Sequence, residues 1–541
     1  MANVIINGEE IAIDSDECLN GIQATKRAGV DIPHYCWHEG LSVVASCRMC
    51  LVETGRRDPE SGDVTMQPRL VPACQTPATD NTVFVTDSDK VKEARAMVEE
   101  DLLIRHPIDC PICDKAGECH LQDYHFEHGQ GERRADIQPF TSRRRPMGDT
   151  VTLFVDRCVM CTRCVRFTRE ITGSSELMVV NRGAHEEIDV FPGYPLDNKL
   201  SGNVVDLCPV GALGDTDFLY SQRVWFMKKH DHVCDGCSTG CSITVEENQD
   251  RVYRLKPREN PEINQWWMCD DGRYGFKHVH AANRETEPKQ RTDDGYENIE
   301  WSNVPIELES RLKKSGHVAA LVSPHLTVEE AYLLVKYIRS IDSDALLAVG
   351  PIPIEGEDET FPNGFTIHAE KCPNRLGVEA IVSHFQNELL AVSEFVDRVL
   401  DGKVGGLWVS GGYKNTEWLP DEQVEKFAAV PLLVVQDTFS SAIWNAATFQ
   451  LPGGTFAERQ GSFVNFAHRL QSFDWAVRPP AGVMVEGPLY WRLLNEPGMF
   501  NARSVLKNVA REIDFFSAAA VDIPDCGIDL RVNHLAEQTS V

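Results

Sequence analysis

No stretch of this sequence approaches the roughly 18 apolar residues that a membrane span requires. The longest candidate, AAVPLLVV at 428–435, reads instead as a buried strand. The opening MANVIINGEEIAID has neither the basic segment nor the apolar run of a secretory leader. Positive charge is scarce as well. The 53 Lys and Arg face 82 Asp and Glu, a formal net charge of -29, which argues against nucleic-acid backbones or anionic lipid as the main partner. Together these absences predict a cytoplasmic protein whose association with a membrane comes only through partners. Cysteine is nearly missing from the second half: of 18, only Cys372 and Cys526 lie beyond residue 270.

The other sixteen are crowded into the first half. Disulfides do not persist in a reducing compartment, so such crowding points to metal. The chain has 541 residues, 42% hydrophobic and 25% charged, an ordinary globular balance with room for several domains. Its cysteine content divides it at about residue 285.

Fifteen cysteines and one histidine fall into four sets. Cys36, Cys47, Cys50 and Cys74 form the first, spaced C-x10-C-x2-C-x23-C. Before them, NVIINGEEIAID alternates around an Asn-Gly turn, a β-hairpin signal, and CLNGIQATKRAGVDI reads as a short amphipathic helix. The second set is His106, Cys110, Cys113 and Cys119 in HPIDCPICDKAGECHLQD. Taken alone, this loop also suits a closed zinc site of three cysteines and a histidine. The third comprises Cys158, Cys161 and Cys164 in CVMCTRC, with Cys208 followed by Pro209. C-x2-C-x2-C is the spacing that folds three thiolates around one cubane cluster. Cys234, Cys237, Cys241 and Cys269 are the fourth, and they lack the two CxxC pairs of a zinc ribbon. Because a zinc knuckle between electron carriers would interrupt them, the second loop is read with its neighbours as a cluster.

The first set with its hairpin and helix resembles a plant-type [2Fe–2S] ferredoxin, although the family spacing C-x4-C-x2-C is lengthened here. The third resembles a bacterial ferredoxin motif, and the fourth the cluster-binding head of molybdopterin oxidoreductases. In this order, with HPIDCPICDKAGECHLQD and CVMCTRCVRF as the most specific stretches, the chain resembles the large iron–sulfur subunits of NADH–quinone oxidoreductase, respiratory complex I, known in bacteria as the G subunits. The resemblance covers residues 1 to about 280.

It implies one [2Fe–2S] and three [4Fe–4S] clusters held by the sets above, with iron as the metal. It implies that electrons arrive from an NADH-binding flavoprotein subunit, enter at the first set, pass the third and leave by the second. The acceptor would be a two-cluster ferredoxin-like subunit, with the quinone site and proton translocation on other chains of the peripheral arm and membrane. The chain would then sit peripherally on the cytoplasmic face of a bacterial inner membrane, without a span of its own and without a complete catalytic site. The fourth cluster would lie off the main route.

Beyond residue 300, HVAALVSP (317–324), the capping-box helix TVEEAYLLVKYIRSI (327–341), ALLAVG, VSEFVDRVLDG, GLWVSGG and AVPLLVVQ alternate as strands and helices. That pattern predicts a parallel sheet with helices on its faces. GGTFAERQGSFVNFAHRLQ (453–471) resembles a molybdopterin oxidoreductase segment. The remaining length is short for a working molybdenum enzyme. Asp271 stands where that family has a lysine, and Cys372 lacks the histidine that follows the catalytic residue in formate dehydrogenases. No molybdopterin is therefore expected, and Cys372 and Cys526 are read as buried small hydrophobes. The alternative reading is the iron–sulfur part of an NAD-linked formate dehydrogenase or of a hydrogenase. It is opposed by the same arguments and by the lack of further cysteine motifs.

The fold expected is multidomain α/β and α+β. A ferredoxin-type β-grasp domain spans 1–85, and the histidine-containing [4Fe–4S] domain spans 86–145. A ferredoxin-like [4Fe–4S] domain spans 146–225, and the molybdopterin-oxidoreductase-type head spans 226–285. A shortened, catalytically silent molybdopterin-oxidoreductase-like domain spans 286–541. His120, His125 and His128 are read as surface or neighbouring groups rather than ligands. For Arg157, Arg163, Arg166 and Arg169, hydrogen bonds or charge toward the third cluster on the one hand, and an exposed face or contact with an acidic partner on the other, are equally open.

Overall fold

In a computed structural model the protein is described for residues 2–532 apart from Ser15, Arg133, Ser142, Ala184 and Gly402. The end of the last expected segment, 533–541, lies outside the described residues. The chain forms two compact units. One comprises 1–227 with 361–363, the other 228–360 with 364–541.

The first unit begins with the expected hairpin. Strands Ala2–Ile6 and Glu9–Ile13 pair antiparallel around Asn7 and Gly8, both at positive φ (52° and 90°), as a two-residue hairpin turn demands. Ala2–Ile6 also pairs parallel with Thr82–Val85, which pairs antiparallel with Leu51–Arg57. Helix Gly21–Arg27 starts in a capping box of Asn20 and Gln23. Its Ile22 and Ala24 pack with Val4, Ile6, Ile13, Trp37 and Phe84 in one core. The long helix Asp89–Arg105 ends at His106, because Pro107 disfavours a helical residue before it. Helix His120–His128 follows, N-capped by Cys119. Next come a small sheet of Leu213–Asp215, Val151–Phe154 and Arg144–Pro146 and the helices Arg163–Glu170 and Asn203–Leu207.

The second unit starts with a three-stranded antiparallel sheet, Lys228–Val233, Ser242–Asn248 and Arg251–Pro257. Its main sheet has seven strands in the order Gly295–Asn298, Lys289–Thr292, Phe449–Pro452, Leu432–Asp437, Gly406–Ser410, Val318–Val322 and Leu346–Val349, the last five mutually parallel. Helix Val328–Ile341 has the expected Thr327–Glu330 capping box. Helix Val392–Asp401 likewise falls where VSEFVDRVLDG placed it, apart from Gly402 outside the described residues. The apolar run at 428–435 is a strand only from Leu432, since Ala428 closes helix Asp421–Ala428.

Packing divides the chain earlier than cysteine content does. Residues 228–285 belong with the second half because Val233 clusters with Phe463 and Phe473, and Ser242 Oγ donates to Gln471 at 2.6 Å. Among the described residues no helix is long and apolar enough to cross a membrane.

The second unit buries carboxyls as well as apolar groups. Glu329 accepts from Ser462 N and Oγ at 2.8 and 2.6 Å, and burial pushes its pKa up to about 7. Above the ordinary carboxyl range the unfolded chain releases this proton while the folded chain keeps it. Stability is therefore lost as pH rises from about 4.5 to 7, at about 1.4 kcal/mol per pKa unit. Unfolding followed across that window should show the decline in the native protein and a flatter profile in Glu329→Gln. An unchanged slope would remove Glu329 as its source.

Candidate iron–sulfur sites

The cysteines of each set lie within electrostatic reach of one another, and His106 of the second stands beside Arg157 and Asp109. In the first, Cys36 shares a thiol hydrogen bond with Cys47, as Cys50 does with Cys74. Ala45 and Arg48 hold positive φ of 50° and 62°. Such residues turn successive N–H groups toward a concavity suited to anions. The N–H groups of Ser46 and Cys47 point at Cys36, whose pKa falls to about 5, chiefly through Cys47's hydrogen bond. The thiols are thus arranged as two pairs.

In the second set, the Asp109 carbonyl accepts from the N–H groups of Ile112 and Cys113, both at 2.8 Å. Gly117 turns at φ 89°. Gly211 comes so close that a Cβ there would overlap the Cys113 sulfur. Burial, then the charge of Arg157, lowers the His106 pKa to about 4, so the imidazole is neutral, its metal-binding form. Cys113 is buried and Cys110 exposed.

The third set lines a pocket walled by Cys158, Cys161, Cys164 and Cys208 with Leu153 and Ile188. Met160 and Thr162 sit at φ 48° and 57°, and Met160 N–H donates to Cys158 Sγ at 3.4 Å. Cys164 occupies the first turn of helix Arg163–Glu170, and Cys208 caps Asn203–Leu207. Burial pushes the Cys161 thiol up to about 11. A thiolate here requires a compensating cation, so metal binding releases protons.

The fourth set, in the second unit, is buried throughout. Gly236 N–H reaches Cys234 Sγ at 3.4 Å and Gly272 N–H reaches Cys269 Sγ at 3.3 Å. A Cβ on Gly272 would stand 3.1 Å from Cys234 Sγ, so side-chain-free backbone is what admits the sulfurs. Lys414, which no local motif marked, pairs with Asp235 at 2.8 Å. Burial works against its charge, but Asp235 and then Cys234 outweigh it and raise its pKa. A cation therefore stands beside this set although Asp271 follows its last cysteine.

Do these residues fit iron–sulfur clusters? A zinc ion draws its sulfurs to about 2.3 Å from one centre. A cluster needs its thiolates spread around a larger anionic body, with N–H groups and positive charge aimed inward. The third-set pocket, walled by all four of its cysteines, meets the first requirement at that set. The N–H···S contacts and buried arginines go toward the second.

Arg95 is 5% exposed, with Nε and Nη2 lacking hydrogen-bond partners, and Cys50 acts on it electrostatically. Arg157, Arg163 and Arg166 are buried, whereas Arg169 is exposed, so the exposed-face reading holds for the last alone. Arg157 pairs with Asp109 at 2.8 Å, packs 4.0 Å over the Phe154 ring and donates to the Gly211 carbonyl. It thereby ties the second loop to the third.

His120, His125 and His128 share helix His120–His128 and are partly buried. Burial lowers the His120 pKa to about 4. Cys372 is fully buried, as expected, but Cys526 is partly exposed beside the Gly527 carbonyl, because its surface loop leaves one side open. Sequence reasoning also missed Tyr35, whose hydroxyl donates to buried Glu99. Sixty-four positions separate them, so no spacing signals the pair.

Four family models match in succession. Residues 1–89 match a 2Fe-2S iron–sulfur cluster binding domain. Residues 95–134 match the NADH-ubiquinone oxidoreductase-G iron–sulfur binding region. Residues 148–214 match the ferredoxin-like domain of NADH-quinone oxidoreductase subunit 3, and 227–281 the Fe4S4 domain of molybdopterin oxidoreductases.

The NADH-quinone oxidoreductase G subunit of Rickettsia felis is 33% identical over 346 residues, 64% of this chain and 50% of that protein. Its counterpart in Streptomyces coelicolor is 33% identical over 63% of this chain and 39% of that one. The NADH-ubiquinone oxidoreductase 75 kDa subunit of Reclinomonas americana is 31% identical over 67% and 52%. A solved chain of an NAD+-reducing [NiFe]-hydrogenase aligns with 41% of this chain and 91% of its own, at 25% identity and a TM-score of 0.34. The chain spans about half the length, or less, of these curated relatives. Over some two thirds of its own length, this protein is a homologue of the G subunits of the NADH-quinone oxidoreductases.

Proposed function

We propose that this chain relays electrons within an NADH–quinone oxidoreductase and has no substrate site of its own. Cys36, Cys47, Cys50 and Cys74 would hold a [2Fe–2S] cluster, each thiol pair serving one iron. His106, Cys110, Cys113 and Cys119 would hold a [4Fe–4S] cluster, as would Cys158, Cys161, Cys164 and Cys208, and Cys234, Cys237, Cys241 and Cys269. Bound clusters supply one-electron redox chemistry. The chain's residues position them, exclude water and set the local charge.

The observation that carries this reading is the interlocking of the first three sets in one compact unit by buried arginines: Arg163 and Arg166 bind carbonyls at or beside cysteines of the first and third sets, and Arg157 pairs with Asp109 of the second. Electrons would enter from the NADH-binding flavoprotein, pass the first, third and second sets in turn, and leave to a two-cluster ferredoxin-like subunit. The segments 1–85, 86–145, 146–225 and 226–285 would be the four cluster domains, in a complex on the cytoplasmic face of a bacterial membrane.

Residues 286–541 would be a silent relative of molybdopterin oxidoreductases. Beyond their sheet's strand ends lie the chain's own ion pairs, Arg284 with Glu458 at 2.6 Å and Arg459 with Glu330 and Glu486 at 3.4 and 3.5 Å.

Anaerobic reconstitution of the full chain tests the proposal. About fourteen irons per chain, equivalent sulfide and distinct paramagnetic signals on reduction are expected. Colourless material carrying zinc in the His106 loop would overturn it.

A further inference from the structure

Helix Arg163–Glu170 carries one candidate ligand of the third set, Cys164, and two buried arginines, Arg163 and Arg166, three positions apart, hence on one face. Both reach the first set. Arg166 donates from Nη2 to the Cys36 carbonyl and, at 3.2 Å, to that of Cys161. Its Nη1 donates to the Ser42 carbonyl. Arg163 donates to the carbonyl of Trp37, next to Cys36, at 2.5 Å and to that of Leu207, next to Cys208, at 3.2 Å. One turn on, Glu170 accepts from Ser42 N and Oγ. Each guanidinium therefore spans two candidate sites, touching the backbone of a ligand or of its immediate neighbour on either side.

These cations are 5% and 6% exposed, and among the described residues neither forms an ion pair with a carboxylate. The Nε of each has no hydrogen-bond partner. Carbonyl oxygens satisfy N–H groups but do not neutralise charge, and an unpaired buried cation costs several kcal/mol. Burial lowers the Arg163 pKa; Cys161, Tyr124 and Cys208 favour its charge, and neighbouring Arg166 opposes it. The counter-charge for which this cage is built is therefore anionic sulfur, and two sites share it.

We propose that Arg163 and Arg166 form a guanidinium bridge. It fixes the first site against the third and holds both at a more positive potential than their thiolates alone would set. The inference rests on the cluster assignment proposed above and adds two positioning residues to it. In the step concerned one electron leaves the first site, oxidising it, and enters the third, reducing it; no bond forms or breaks and no proton moves. Each reduction adds negative charge, so a cation common to both sites favours the reduced form of each. The shared hydrogen bonds also make one short, rigid path between them.

The test is a redox titration of the reconstituted full chain, following the paramagnetic signal of each site, in wild type, Arg166→Gln, Arg166→Lys and Arg163→Gln. In Arg166→Gln the equilibrium constants for reducing the first and third sites should both fall about tenfold, a one-electron shift of about 59 mV. The second and fourth should stay in place. Arg166→Lys should recover most of the potential but not the rate of electron passage between the two sites after rapid reduction, since one ammonium cannot grip two carbonyls as a planar fork does. Arg163→Gln should lower the same two midpoints, and it serves where Arg166→Gln fails to assemble. Midpoints unmoved in variants that retain full iron and sulfide, or a shift confined to one site, would overturn the bridge alone. A wild-type chain without the two signals would overturn the cluster assignment beneath it.

Discussion

Replacing two third-set cysteines together, as Cys161→Ala/Cys164→Ala, is expected to remove about four irons per chain and abolish one paramagnetic signal. It should also slow reduction of the second site by orders of magnitude. The reason lies in how the first unit is tied together. Cys161 lends its carbonyl to Arg166, and Cys164 sits in the helix that carries Arg163 and Arg166. Arg157, which directly precedes the CVMCTRC run, pairs with Asp109 of the second loop. The third site is thus the one to which both neighbours are fastened by buried cations.

Tunnelling rates fall exponentially with distance, so deleting a middle station costs far more than deleting a terminal one. A second contact also exists: Tyr124, on the helix after Cys119, accepts from the His34 N–H at 3.2 Å through its hydroxyl oxygen. The double variant decides between the two routes. If the second site is still reduced at the wild-type rate, electrons bypass the third and the order proposed here is wrong. Cys526→Ser, outside all four sets, should leave iron content unchanged.

The second large effect belongs to the other unit. Arg284 makes a two-pronged contact with Glu458, Nη1 to Oε1 at 2.6 Å and Nη2 to Oε2 at 2.8 Å, with side chains 3% and 1% exposed. Glu458 Oε2 also accepts from Thr455 N at 2.8 Å, and Arg284 Nη1 donates to the Val279 carbonyl at 2.7 Å. Arg284→Met should destabilise the second unit by about 3–5 kcal/mol, because it strands a carboxylate in the interior. Adding Glu458→Gln should recover most of that loss, since the amide oxygen still accepts from Thr455 and no charge remains to be paired. Denaturant unfolding of the full chain, reading the second-unit transition separately, measures both. A loss below about 1 kcal/mol would show that water or rearrangement reaches the stranded carboxylate. Iron at the first three sites should not change in either variant.

How much of this was legible beforehand depended on sequence separation. The Asn7-Gly8 hairpin, the Thr327 capping box and the strand–helix alternation after residue 300 were readable because their causes lie within a few residues: turn conformation, a side chain reaching the third N–H, and apolar periodicity. The grouping of the cysteines was visible as spacing along the chain. The partners of Arg157, Arg163 and Arg166 were not. Their acceptors lie at Asp109, Trp37, Leu207, Cys36 and Ser42, up to 130 positions away, and an arginine beside a cysteine loop has no local feature that says whether water or protein surrounds it. Lys414 was hidden for the same reason, arriving beside Cys234 from 179 positions beyond its partner Asp235. A boundary was expected at 225/226, but not that it would be the main division, because that follows side-chain packing of Val233 on Phe463 and Phe473 rather than composition.

The sequence by itself determined how the cysteines group along the chain and the kind of sheet that follows them, since spacing and periodicity are properties of a short length of chain. Only the tertiary structure decided which cations stand between those groups and which thiols are buried. Burial and charge compensation arise when distant segments close around one another and exclude water.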